Sequence, residues 1–166
     1  MSHHYLIALG SNRRHQRYGR PEAVLRAALV ALEQAGVQVE QVAPMLRSAP
    51  LGPSLRRYAN SMVRVRSKLD PPALLELLKR TERDFGRRRG GQRWSTRVLD
   101  LDILLWDGGT WASPGLIVPH VAFRDRDFVL RPVVAIAPRW RDPLTGLTLR
   151  QLHSRLTRES RLPKRD

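Results

Sequence analysis

The chain has 166 residues, 42% of them hydrophobic, which suits one domain around one continuous core and argues against extensive disorder. It contains no cysteine, so disulfides and thiolate metal sites are excluded; it also lacks a bilayer-length apolar run and a charged leader ahead of an apolar stretch, so a cytoplasmic protein with no membrane partner is expected. The formal net charge is +15, and because only Lys68, Lys79 and Lys164 are lysine, 27 of the 30 basic residues are arginine.

Tyr5 to Leu9 is a short apolar run closed by Gly10-Ser11-Asn12, a strand entering a tight turn. From Pro21 to Ala35, Val24, Leu25, Ala28, Leu29 and Leu32 recur at helical spacing, and Gly36 ends the pattern. Val37 to Met45 reads as a second strand and Ser48 to Arg57 as a loop with two prolines. Tyr58 to Leu69 alternates as a strand. Asp70 then caps a helix that has Pro71 in its first turn, a stripe of leucines through Leu78, and Gly86 as its stop. Arg87 to Thr96 is a basic loop with glycines, and Val98 to Trp106 is the strongest strand.

The order β-α-β-β-α-β predicts an α+β, ferredoxin-like core with an antiparallel sheet. Asp107-Gly108-Gly109 marks a turn, Ile117 to His120 an extended piece, Phe128 to Ile136 a helix despite Pro132, and Leu147 to Leu156 a last short helix. These add a C-terminal hairpin and a helical extension to the core. Residues 1–157 are expected to form a single domain, with 158–166 a basic, frayed tail. His3 and His4 are assigned no function.

Chemistry concentrates at Asp100-Leu101-Asp102. Residues two apart on a strand face one side, with Cα atoms roughly 7 Å apart. The two carboxylates therefore project together, while Leu99, Leu101, Ile103 and Leu105 are expected on the opposite, core side. Paired carboxylates in so apolar a strand favour a hard divalent cation such as Mg²⁺, bound through one or two acids plus substrate phosphates. A solvated sheet face is the plainer explanation of the same pair. Arg87, Arg88, Arg89, Arg93 and Arg97 lie just upstream, among Gly86, Gly90 and Gly91. Arginine forks match phosphate oxygens, so carboxylates and arginines together are the parts that phosphoryl transfer requires. No P-loop, protein-kinase or nucleophile-elbow signature is present, so the substrate itself is expected to supply the nucleophile. A nucleic-acid-binding module is the rival reading of the charge. The sequence lacks the aromatic strand pattern of such modules, and its acid pair would repel phosphate without a metal.

Five separated segments carry a resemblance: Ala8-Leu9-Gly10-Ser11-Asn12, Ser48-Ala49-Pro50-Leu51-Gly52-Pro53, Tyr58-Ala59-Asn60, Arg97 to Ile103, and Val118-Pro119-His120. In order and spacing they resemble the 6-hydroxymethyl-7,8-dihydropterin pyrophosphokinases of folate biosynthesis, from about Tyr5 to Leu156. The resemblance implies a monomeric ATP-dependent diphosphokinase that makes AMP and the pterin diphosphate. It implies two Mg²⁺ ions on Asp100 and Asp102, with Asp100 near the substrate hydroxyl. It places Tyr58 and Phe128 on the pterin faces, Asn60 with the Ser48 and Leu51 segment at the pterin edge, and Trp94 as part of the closing loop. Arg87 and Arg97 hold phosphates, His120 and Arg126 contact ATP, and Glu82, Arg89 and Ile103 line the nucleotide side. The chain departs from familiar members at Ser48-Ala49, Val98, Gly115 and Ile117.

Overall fold

A computed structural model describes residues 1–48, 58–86 and 98–159, except for the side chains of Ser48, Tyr58 and Glu159. The main sheet is antiparallel throughout. Its strands are β1 (His3–Ser11), β2 (Gln38–Val42), β3 (Leu46–Ser48), β4 (Tyr58–Ser67) and β5 (Asp100–Trp106). The spatial order is β2-β4-β1-β5, with β3 also on β4; α1 (Pro21–Gln34) and α2 (Pro71–Gly86) fall where the expected β-α-β-β-α-β order puts them, with the short β3 added between β2 and β4.

Alternation along β1 sorts the core into two layers. Tyr5, Ile7 and Leu9 point to one face, where they meet Val24, Leu25, Ala28 and Leu32 of α1 and Leu74, Leu77 and Leu78 of α2. Leu6 points to the other face and packs with Val129, Leu130 and Val133 of α3 (Asp127–Ile136) and Leu149 and Leu152 of α4 (Leu149–Glu159). Helices therefore cover both faces of the sheet. A small hairpin, β6 (Trp111–Ser113) with β7 (Leu116–Val118), leads through a cis Val118-Pro119 bond to His120.

Local chemistry sets the helix ends. Asp70 Oδ1 accepts from the Ala73 amide at 3.0 Å, capping α2 as its sequence predicts. At the end of α1, Gly36 takes φ +92°, which lets the Val37 amide reach the Leu32 carbonyl at 3.0 Å. Pro132 sits inside α3 without ending it. The last helix runs to Glu159, and residues 160–166 lie outside the described residues.

Two strands differ from expectation. The run Val37 to Met45 is broken: β2 stops at Val42, and β3 begins only at Leu46, after Pro44 has removed a ladder donor. The strongest strand begins at Asp100, with Val98 in a bend. Leu105 also lies on the face opposite to the expected one. The β1–β5 register skips Leu104, because Leu6 pairs with Leu105 while Ile7 pairs with Ile103. This bulge places Leu104 and Leu105 together in the α3/α4 layer, while Leu99, Leu101 and Ile103 remain in the α1/α2 layer.

Candidate active site

Strand β1 forms the floor of a cleft on the α3 side of the sheet. Gly10 pairs with Asn60 on one flank and Asp100 on the other; one rung along, Ala8 pairs with Met62 and Asp102. The central strand thus offers almost no side chain, while its neighbours rise on both sides. A methyl built on Gly10 would sit 3.2 Å from Asn60 Oδ1 and 4.0 Å from Asp100 Cβ, so the space is shaped by the missing side chain. With strands about 4.8 Å apart, the Asn60 and Asp100 backbones are roughly 10 Å from each other across the floor.

Asp100, Asp102, Asn60, His120, Arg126 and Phe128 line this one cleft. Both acids are half-buried and on the same side, as period-two geometry requires. His120 is brought in by its amide, which donates to the Leu104 carbonyl at 2.9 Å on the free edge of β5. The His120 ring is oriented by the Ala122 amide, which donates to Nδ1 at 3.2 Å. A neutral ring held this way carries its proton on Nε2, the nitrogen free to donate to an anionic ligand. Arg126 and Phe128 flank the start of α3; the guanidinium lies 5.7 Å from the Phe128 ring centroid, and Phe128 is half exposed at the cleft's lip. The cleft encloses about 150 Å³. That is below the roughly 300–1,000 Å³ of small-molecule sites, so these residues by themselves seat one small group and not two whole substrates.

Among the described residues no three His, Asp or Glu side chains converge as a self-sufficient metal site. The donor set present, two carboxylates on one strand face, fits Mg²⁺ completed by phosphate oxygens and water.

Other expected residues fall elsewhere. Ile103 is 3% exposed in the α1/α2 layer, so only its backbone is available to a ligand. Glu82 lies on α2, its carboxylate accepting from the Leu101 amide at 2.8 Å and held by Lys79 Nζ at 3.3 Å. Burial raises its pKa, against the Leu101 bond and Lys79. Ser48 and Tyr58 are paired across β3 and β4, and their side chains lie outside the described residues. Leu51, Arg87, Arg89, Trp94 and Arg97 also lie outside them. The sequence reading missed Ala8 and Gly10 as the floor. The available signal was two small residues spaced by two in an otherwise apolar strand.

None of the described lining side chains is Ser, Thr, Cys or Lys, so the cleft offers acids, an imidazole and a guanidinium but no nucleophile of that kind. An α+β sheet carrying such a site defines an enzyme of phosphoryl-type transfer, in which positioning and electrostatics dominate. The chain belongs to the 7,8-dihydro-6-hydroxymethylpterin-pyrophosphokinase (HPPK) family, whose family model matches residues 6–138. It is 37% identical over 150 residues to the 2-amino-4-hydroxy-6-hydroxymethyldihydropteridine pyrophosphokinase of Synechocystis sp., covering 90% of this chain and 74% of that one. The Bacillus subtilis protein of the same name is 39% identical over 132 residues, covering 78% and 75%. A crystal structure of Plasmodium falciparum HPPK-DHPS with pteroate superposes with a TM-score of 0.70 at 13% identity. That match covers 98% of this chain, which spans 44% of the larger protein, and it speaks for the fold alone.

Proposed function

We infer that this chain transfers a diphosphate group from ATP to the hydroxymethyl group of 6-hydroxymethyl-7,8-dihydropterin, giving AMP and the pterin diphosphate. The carrying observation is one cleft lined by Asp100, Asp102 and His120 in a chain that belongs to the HPPK family. In the reaction the hydroxymethyl oxygen bonds to the β-phosphorus as that phosphorus separates from the oxygen leaving with AMP, and the hydroxyl proton departs to a base.

Each residue has a part. Asn60, one strand away from Gly10, presents an amide that both donates and accepts, suited to the pterin edge. Phe128 offers an exposed ring face for a flat heterocycle. Asp100 pairs with Gly10 on the same rung as Asn60, which supports the reading that it approaches the hydroxymethyl group and accepts its proton. His120 donates from Nε2, and Arg126 adds fixed positive charge, toward oxygens that gain charge as AMP leaves. Asp100 and Asp102 would hold Mg²⁺, two ions in this proposal, which neutralise phosphate charge and orient the chain of phosphates. Tyr58, Ser48 and Leu51 on the pterin side, Arg87, Arg97 and Trp94 over the phosphates, and Arg89 and the Ile103 backbone on the nucleotide side keep the roles the resemblance implies, with Glu82 behind the strand on α2. A monomer acting in the cytoplasm completes the proposal. Among the described residues no helix is long and apolar enough to cross a membrane.

The test is incubation with ATP, Mg²⁺ and the reduced pterin alcohol, followed by nucleotide analysis. Pterin-dependent AMP is the expected product, and ADP would overturn the assignment. Asp102→Ala is expected to lower kcat by at least about 100-fold, in line with loss of a metal ligand. Unchanged kcat at saturating Mg²⁺ would remove the carboxylate pair from the mechanism.

A further inference from the structure

Among the described residues strand β5 is the edge of the sheet, paired to β1 and with no strand on its outer side. Among the described residues, side-chain and loop contacts stand where a further strand would pair. The His120 amide meets the Leu104 carbonyl, and the Leu101 amide donates to Glu82 Oε1 at 2.8 Å. Leu101 is the residue between the two cleft acids. Its side chain is fully buried against the α1/α2 core, and its amide is fastened to α2. The Glu82 side chain is only 11% exposed, and Lys79 Nζ stands 3.3 Å from each of its oxygens. Oε1 thus serves both the strand backbone and Lys79, while Oε2 meets Lys79.

We propose that Glu82 is a positioning residue: its carboxylate stands in for the absent strand partner at Leu101 and thereby fixes Asp100 and Asp102 in register. The need is local. The strand begins at Asp100, two residues after a bend at Val98, so the acids sit in its first three residues. Strand ends fray unless their backbone groups are paired, and a carboxylate accepting a backbone N–H is a strong, charge-assisted bond. Losing it would free the Leu101 amide and let the segment bearing both acids move, an effect carried through the backbone and not through contact with substrate. The inference rests on the functional reading above. It also differs from a direct nucleotide contact by Glu82 in what each substitution does.

Glu82→Gln keeps an acceptor oxygen and removes the charge, whereas Glu82→Met keeps length and removes the acceptor. Hydrogen exchange at the Leu101 amide, followed by NMR, reads the bond without any catalysis. The expected result is a protected Leu101 amide in the native chain and in Glu82→Gln, and fast exchange in Glu82→Met. In parallel, the Mg²⁺ concentration for half-maximal activity should rise about 10–100-fold in Glu82→Met, the range for lost supports of metal ligands, and stay within about 3-fold in Glu82→Gln. Should Glu82→Met fail to fold, Glu82→Gln still decides. A large loss of ATP affinity in that variant, with Leu101 still protected, would mean that the carboxylate itself binds nucleotide and would overturn the proposal. Free exchange of Leu101 in the native chain would overturn it as well. Absence of pterin-dependent AMP would instead defeat the functional reading and leave the exchange measurement standing.

Discussion

Arg124→Met should destabilise this protein more than its position on a short surface turn suggests. Arg124 Nε and Nη2 donate to Asp142 Oδ2 and Oδ1 at 2.7 and 2.6 Å, a two-pronged pair, and Asp142 is completely buried. Removing the guanidinium leaves that carboxylate with only Thr145 Oγ1 at 2.7 Å and the Leu144 amide at 3.1 Å. Breaking a buried pair from one side costs about 3–5 kcal/mol, and the two surviving bonds favour the lower end. At roughly 2–4 °C per kcal/mol for a chain of this size, about 3 kcal/mol lowers Tm by about 6–12 °C. Thermal and denaturant unfolding of the two proteins at neutral pH measure the difference. The pH dependence gives a second handle. Burial pushes the Asp142 carboxyl up, but the bonds from Arg124, Thr145 and Leu144 outweigh it and hold the group below its ordinary value. The stability it contributes is therefore present above the ordinary aspartate range and is lost as pH falls through the depressed value. Arg124→Met should shed part of that acid sensitivity. A Tm drop smaller than about 2 °C would refute the reasoning that an unpaired buried charge dominates here. The turn from Phe123 to Asp125 lies between His120 and Arg126, so the same variant should also lose activity at temperatures well below its own Tm.

Gly10→Ala places a methyl 3.2 Å from Asn60 Oδ1, so the amide must shift by a few tenths of an ångström. The expected outcome is a several-fold rise in KM for the pterin with Tm held or raised by up to about 1 kcal/mol equivalent, because alanine restricts the unfolded chain more than glycine. A KM change for ATP alone would contradict the floor geometry. His15 predicts a different pH response. Its Nδ1 accepts from the Arg17 and Tyr18 amides at 3.0 and 3.2 Å, and burial lowers its pKa from 6.5. The unfolded chain then binds the proton more readily. Stability from this group is complete above pH 6.5 and declines as pH falls through the depressed folded value. Tm measured between pH 7.5 and 5 should fall less steeply in His15→Gln than in the native chain, and equal slopes would dismiss the effect.

Much of this arrangement is legible before any coordinates, and particular residues show where legibility stops. Period-two alternation puts Asp100 and Asp102 on one face because that relation needs only the strand itself. It fails at Leu105 because the bulge at Leu104 arises from the register against β1, a property of two strands and not of one. The break between β2 and β3 had a local sign in Pro44, which the apolar positions around it masked. Ala8 and Gly10 are harder still. A missing side chain acquires meaning only when Asn60 and Asp100 are known to stand on either side of it. His120 is a weak candidate from its residues and gains a role through the resemblance, since its approach depends on the hairpin and on one bond to the Leu104 carbonyl.

The charge follows the same division between local and assembled information. A net +15 cannot say by itself whether the partner is a nucleic acid or a nucleotide. In the fold, several acids outside the cleft pair with arginine: Glu22 with Arg47, Glu40 with Arg64 and Arg66, Asp142 with Arg124, and Asp127 with Arg131. The Asp100 and Asp102 pair lines an open cleft beside Arg126 and an imidazole oriented to donate. Acids at that position repel a bare polyphosphate and accept one that arrives with divalent cations. In the proposed mechanism a basic surface then raises the encounter rate of any polyanion, while the acid pair would select the metal-bound form. Raising ionic strength should therefore lower kcat/KM for ATP and leave kcat nearly unchanged, because screening acts on approach and not on the assembled site.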